Sequence, residues 1–288
     1  MTEPIKDNLR FPPIEFNYKL KETDLTTAFK INKQTWNERV AVHTQSDFYN
    51  LEAFRKGRSS LHCFELEALG NISGKTLLHL QCHFGQDTLS LSRLGALCTG
   101  IDFSEKAIVF AQDLNKELLL DATFICCNVL DTSNHVTQTF DIVFTSYGTI
   151  GWLPDLAPWA KMIAQRLKTG GTFYIVDFHP IAWMFDYTVT PAVMRYGYDQ
   201  KQAIYEQYMG SYAAPKSNLD SKEYGWNHSL SSVINALIGA GLSIESIEEH
   251  PQSPYNVFPS LERTDSGMYQ MPNSLYPLLF SIKATKKH

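Results

Sequence analysis

The sequence predicts an α/β fold: a doubly wound, mostly parallel sheet with helices on both faces. Three observations carry this. Between Gly74 and Asp177, short apolar runs alternate with segments of helical period. The connections between them are only a few residues long, and a glycine, serine or acidic residue marks most changes of element. Such alternation sets strands side by side in parallel, joined by right-handed helical crossovers.

The first seventy residues are polar, aromatic and helical. Thr23 to Arg39 and Phe48 to Leu69 carry apolar residues at spacings near three and four, while Pro12-Pro13 keeps the extreme N-terminus extended. Lys75–Leu80 is the first predicted strand, followed by a glycine-containing turn and a helix over Asp87–Leu94 that Gly95 closes. Leu97–Ile101 is the second strand, ending on Asp102. Ser104 then stands where an N-cap should be, ahead of a helix over Glu105–Lys116. Thr123–Cys127 and Phe140–Ser146 are the third and fourth strands. A helix over Leu156–Leu167, closed by Gly170-Gly171, leads into a fifth strand over Thr172–Asp177. Beyond Phe178 the periods are lost until a helix over His228–Ala240 and strands over Leu242–Glu248 and Tyr276–Ala284. Five prolines between His250 and Pro277 mark a loop lobe at about 250–275.

The chain has 288 residues, enough for one large domain or two small ones at about 150 residues each. We expect a helical extension over 1–70, then one domain over 71–288 with an insertion at about 178–227. Charged residues are 19% and hydrophobic residues 44%, an ordinary globular balance. The formal net charge of -5 argues against a nucleic-acid partner. No apolar run reaches the 18 or so residues of a membrane span, and the N-terminus does not read as a secretory signal. Five cysteines with no CxxC spacing suggest reduced thiols and a cytoplasmic protein, and no set of four convergent ligands suggests a metal.

Ligands of such sheets sit outside the carboxyl ends of the strands. The residues there are Gln81 to Asp87, Asp102 to Ser104, Asn128 to Asp131, and Ser146 with Tyr147. Asp102 can accept hydrogen bonds from the two hydroxyls of a ribose, Asn128 can meet an adenine edge, and Phe103 and Val129 can flank the ring. The turn after the first strand keeps only Gly85, whereas a pyrophosphate wants GxGxxG, so a dinucleotide fits poorly.

The string LLHLQCHFGQDTLSLSRLGA followed by TGIDFS, then FDIVFTSYGTIGWLPDL, RLKTGGTFYIVDFHP and PLLFSIKATKK, resembles the class I S-adenosylmethionine-dependent methyltransferases, of small-molecule type, over most of residues 31–286. In this variant of the first motif, His79 takes the acid's position, Gln81 and His83 replace two glycines, and Gly85 keeps the third. The resemblance implies a Rossmann-like seven-stranded sheet with an antiparallel last strand. It implies S-adenosylmethionine as cofactor. Gln81, Cys82, His83 and Gly85 would line its methionine part, Asp102 would hold its ribose, Asn128 and Val129 its adenine, and Ser146 and Tyr147 would sit near its sulfonium. It further implies a lid carrying Trp36 and methyl transfer to an oxygen, nitrogen or carbon of a small molecule.

His79 also reads as a satisfied core histidine. Phe178 to Trp226 holds eleven aromatics in 49 residues, about 22% against 12% for the chain, which suits both a lobe's own core and an acceptor pocket. His179, one residue past the fifth strand, is the first candidate for a general base, Tyr147 the second, with His228 and Glu223 behind them. A non-catalytic binder of the same cofactor and, less favoured, a nucleotide-dependent oxidoreductase stay open. A nucleic-acid methyltransferase is disfavoured by the charge and by the lack of an NPPY-type tetrapeptide for a flipped base.

Overall fold

A computed structural model describes residues 24–187, 189 and 192–288. The expectations for Pro12-Pro13 and the rest of the first 23 residues lie outside them. Seven strands make the main sheet: β1 Thr76–His79, β2 Leu97–Asp102, β3 Thr123–Cys126, β4 Phe140–Ser146, β5 Leu167–Phe178, and, after a separate hairpin of β6 Gln200–Met209 and β7 Asp220–Asn227, β8 Leu242–His250 and β9 Leu279–Lys286. Their order is β8-β9-β5-β4-β1-β2-β3. The five strands from β5 to β3 are mutually parallel, and β9 runs antiparallel to both β5 and β8. This is the expected Rossmann-like sheet with its antiparallel last strand.

The helices are α1 Leu25–His43, α2 Leu51–Arg55, α3 Cys63–Leu69, α4 Gln86–Arg93, α5 Glu105–Glu117, α6 Thr132–His135, α7 Leu156–Arg166 and α8 Leu230–Gly239. Strand side chains alternate between the two faces, as a period of two requires. Leu78, Val143, Phe173 and Ile175 point into one core, with Trp159 and Ile163 of α7 and Val233 of α8. Leu77, Ile142, Phe144, Tyr174 and Val176 point into the other, beneath α3. No described helix is long and apolar enough to cross a membrane.

Three expectations are corrected. The apolar period from Phe48 to Leu69 is two short helices, α2 and α3, because Gly57, at φ 103°, and the extended stretch to His62 interrupt it. Gly170-Gly171 does not close α7. That helix ends at Arg166, and β5 begins at once with Leu167 beside Phe140; the glycines then sit in a bulge before Thr172 pairs with Ile142. A Cβ on Gly171 would lie 2.8 Å from the Lys168 carbonyl oxygen, so the residue is glycine because backbone approaches it. The aperiodic insertion contains the long β6–β7 hairpin, and the loop lobe contains a three-stranded ribbon of two-residue strands, Gln252–Ser253, Glu262–Arg263 and Tyr269–Gln270. Both escape a periodicity reading because one is part-exposed on both faces and the other is too short.

Candidate active site

Strand order reverses between β1 and β4, and the cleft at their carboxyl ends is where an open α/β sheet binds its ligand. A cavity of about 1100 Å³ opens there. Its floor is the turn after β1. Gly85 caps α4 at φ 82°, and a Cβ on it would meet the Phe124 ring at 2.6 Å, which explains why this glycine of the turn is kept. Gln81 and His83 stand in the same left-handed region, at φ 51° and 50°, as does Tyr147 at 52° after β4. That conformation costs a side-chain-bearing residue about 1–2 kcal/mol. All three side chains border the cavity.

Asp102, 8% exposed at the tip of β2, accepts the backbone N–H groups of His83 (2.9 Å) and Ser104 (2.9 Å). Burial pushes its carboxyl up to about 6 despite these bonds. Ser104 caps α5 as expected, accepting the Ala107 N–H. Asn128 spends its Oδ1 on the Leu130 N–H and borders the cavity at β3's tip. Phe103, Val129, Cys82, Ser146 and Trp36 border the same cavity. So do His228, whose Nε2 pairs with the Leu153 carbonyl, and Glu223, which is paired with Arg39.

His79 is a core residue at the cavity's edge. It is buried, bonded through Nδ1 to the Thr88 hydroxyl at 2.8 Å, and pushed by burial down to about 3, so it is neutral. His179 is not where a general base is needed. It does not border the cavity; Nδ1 accepts the Ile181 N–H and Nε2 donates to Glu249 at 2.7 Å, so both nitrogens are engaged on the far side of β5's end. Its neighbour Asp177 does the positional work instead. Buried and wholly engaged, its carboxylate accepts the N–H groups of Gly148, Thr149 (2.9 Å) and Ile150 (3.2 Å), shaping the loop that presents Tyr147.

Several site residues escaped the sequence reading. Glu65 of α3 accepts the Tyr147 hydroxyl (2.8 Å) and the His62 N–H (3.0 Å). Burial first, and then the charge of Asp87, raises its carboxyl to about 8. Asp87 borders the cavity beside the Ser146 hydroxyl at 3.3 Å. Arg39 of α1, 1% exposed, pairs with Glu223 and donates to the Tyr208 hydroxyl at 2.7 Å; Glu223 keeps its guanidinium charged against the cost of burial. Tyr49, Tyr212, Trp152 and Tyr255 complete aromatic walls. Asp87 closes the strand-tip stretch Gln81 to Asp87 that the sequence had marked, without a role of its own; nothing local marks Glu65 or Arg39.

The family model described as a methyltransferase domain matches residues 78–175, the stretch that holds β1 to β5 and the strand tips above. This stretch of the chain is therefore similar to a methyltransferase domain. The chain is 32% identical over 131 residues to an uncharacterised methyltransferase of Synechocystis, and 26% identical over 121 residues to a ubiquinone biosynthesis O-methyltransferase of Coxiella burnetii. These alignments cover 45% and 42% of this chain and 59% and 51% of those proteins. The chain thus spans little more than half the length of the curated relatives it matches. A solved S-adenosylmethionine-dependent methyltransferase of Methanosarcina mazei shares the fold over 78% of this chain and 98% of its own, with a TM-score of 0.53 at 17% identity.

Solved proteins of this fold include S-adenosylmethionine-dependent methyltransferases, and the residues that border the cavity fit that cofactor. Gln81 donates its amide to the Thr149 carbonyl at 2.8 Å, while its Oε1 is buried without a partner among the described residues, an acceptor suited to a donor such as an ammonium. Asp102 and Asn128 keep acceptor and donor capacity at two neighbouring tips.

Proposed function

We propose that the protein binds S-adenosylmethionine in this cavity and directs its methyl group to a small-molecule acceptor. The observation that carries the reading is convergence. The tips of β1, β2, β3 and β4 bring Gln81, Asp102, Asn128 and Ser146 to one cavity. When bound, the cofactor supplies an electrophilic methyl carbon on a sulfonium. The Asp102 carboxylate would hold the ribose hydroxyls, Asn128 with Val129 the adenine, and Gln81 the amino-acid end. The remaining task is alignment and exclusion of water. The volume supports room for an acceptor as well, since about 1100 Å³ lies just above the roughly 300–1,000 Å³ of single-ligand sites. In this reading α1 to α3 serve as the lid, with Trp36 facing inward, and the lobe holding β6 and β7 meets the acceptor. Tyr147 stays a candidate to touch the acceptor; His179, engaged elsewhere, does not.

Calorimetric titration with S-adenosylmethionine, S-adenosylhomocysteine and NAD tests this. Binding of the two sulfur nucleosides alone is expected, with at least a hundredfold loss in Asp102→Ala, where two charge-assisted hydrogen bonds worth about 1.5–3 kcal/mol each disappear. Undiminished affinity in that variant would remove Asp102 from the site, and binding of NAD alone would overturn the reading.

A further inference from the structure

Three parts of the chain that are distant in sequence meet in one line of hydrogen-bonding atoms beside the cavity. His43, at the last turn of α1, places Nδ1 3.0 Å from Nε2 of His83, in the turn after β1. Its Nε2 lies 3.0 Å from the hydroxyl of Ser211, in the turn between β6 and β7. His43 and Ser211 are buried, at 0% and 3% exposure. Nδ1 of His83, the end of the line, is buried without a partner among the described residues, although His83 borders the cavity.

Proton accounting gives the line a direction. Burial holds His43 near 3 and His83 well below the usual histidine range, so each ring carries one N–H at neutral pH. The Ser211 oxygen already accepts the Ala214 N–H at 3.1 Å, and among the described residues its own proton has one acceptor in reach, Nε2 of His43. A buried hydroxyl left undonated costs about 1–3 kcal/mol. Ser211 therefore donates to His43, His43 donates from Nδ1 to His83, and the single proton of His83 is left on Nδ1.

We propose that His83 is a tautomer-locked hydrogen-bond donor, set by Ser211 through His43, and that it receives an oxygen anion of a bound ligand, a carboxylate or phenolate. A second feature of the same wall points the same way. Arg39 lies 4.8 Å over the Trp36 ring, which also packs against the rings of His83 at 5.1 Å and Trp152 at 5.3 Å, and the Nε of this buried guanidinium has no partner among the described residues. The positive φ of His83 adds to the case: glycine would fit that backbone without strain, so the imidazole stands there at a cost. A small rotation of the ring, of the kind ligand binding commonly brings, exposes Nδ1 to the cavity. The anion has two sources, the carboxylate of the cofactor's amino-acid end or an oxygen of the methyl acceptor. The inference rests on the cofactor reading above only in its choice of probes.

The direct test is 15N NMR of the histidine-labelled full chain, free of ligand. His83 should be protonated at Nδ1 and bare at Nε2, and Ser211→Ala, with an unchanged near-ultraviolet dichroism spectrum, should release the His43 and His83 tautomers. The opposite tautomer in the wild type, or tautomers indifferent to Ser211→Ala, overturns the proposal. The second arm is calorimetry with S-adenosylhomocysteine, with 5′-methylthioadenosine, which lacks the amino-acid end, and with benzoate added to the S-adenosylhomocysteine complex. His83→Leu should weaken either S-adenosylhomocysteine or benzoate about tenfold or more. His83→Asn, which keeps a donor near the position of Nδ1 and tolerates the backbone, should restore it. Loss confined to S-adenosylhomocysteine assigns the cofactor carboxylate, and loss confined to benzoate assigns the acceptor. No loss, or equal loss for 5′-methylthioadenosine, overturns the donor role. Failure of the wild type to bind either nucleoside would sink the cofactor reading, while the tautomer, read without ligand, would stand or fall alone.

Discussion

Glu65 and Asp102 are carboxyl groups that the fold holds partly against ionisation, and the two have different consequences. Glu65 is 1% exposed, and burial with the charge of Asp87 raises its carboxyl to about 8. A carboxyl raised above its ordinary value near 4.5 favours the fold while protonated. Its contribution is full below that ordinary value and is lost as pH rises through about 8. We therefore predict that the melting temperature falls between pH 6 and pH 9, and that Glu65→Gln, which keeps partners for Tyr147 and the His62 N–H, flattens the fall. An unchanged slope in the variant would show that the fold ionises Glu65 freely. Asp102 titrates near 6, in the cavity. Only its carboxylate accepts from two hydroxyls at once, so affinity for S-adenosylhomocysteine should rise from pH 5 to pH 7, and the rise should vanish in Asp102→Asn.

At the scale of elements, the sheet was legible because each strand is an apolar run bounded by turn chemistry. The tips were legible because a doubly wound sheet puts ligands at its carboxyl ends. What was not legible depended on contacts distant in sequence. Gly170-Gly171 reads locally as a helix stop, yet tertiary pairing of Leu167 with Phe140 starts β5 before it. The two glycines then differ in a way no local rule gives. A Cβ on Gly170 meets open space but sits at φ 78°, whereas one on Gly171 would collide with the carbonyls of Lys168 and Phe140 at 2.8 and 3.1 Å. Gly171→Ala should therefore cost the more, about 1–3 kcal/mol of overpacking, against about 1 kcal/mol for Gly170→Ala. Urea denaturation of the two variants decides the order. His179 misled for the same reason. Its place one residue past β5 suggested the cavity, but the neighbouring Glu249 of β8 draws its ring away.

At the scale of the molecule, α1 is fastened to the lobe more firmly than to the sheet it precedes. Asn32, 1% exposed, acts on β7 as a neighbouring strand would: Nδ2 donates to the Tyr224 carbonyl at 2.9 Å and Oδ1 accepts the Tyr224 N–H at 2.8 Å. Thr35 donates to the Lys222 carbonyl, and Arg39 closes the row on Glu223 and Tyr208. One face of α1 thus satisfies the free edge of the hairpin, and Trp36, Arg39, Tyr208 and Glu223 from the two elements border one cavity. Helix and hairpin should then open and close as one unit. Asn32→Ala leaves the part-buried N–H and carbonyl of Tyr224 without these partners, at up to about 1–3 kcal/mol each. Hydrogen exchange should speed up together in α1 and in β6–β7, and hardly at all in β1, β4 and β5, whose pairing it does not touch. Adding S-adenosylhomocysteine should slow exchange in both elements of the wild type. Faster exchange in the hairpin with α1 unchanged would mean that the two move independently, and that the roof of the cavity is two lids instead of one.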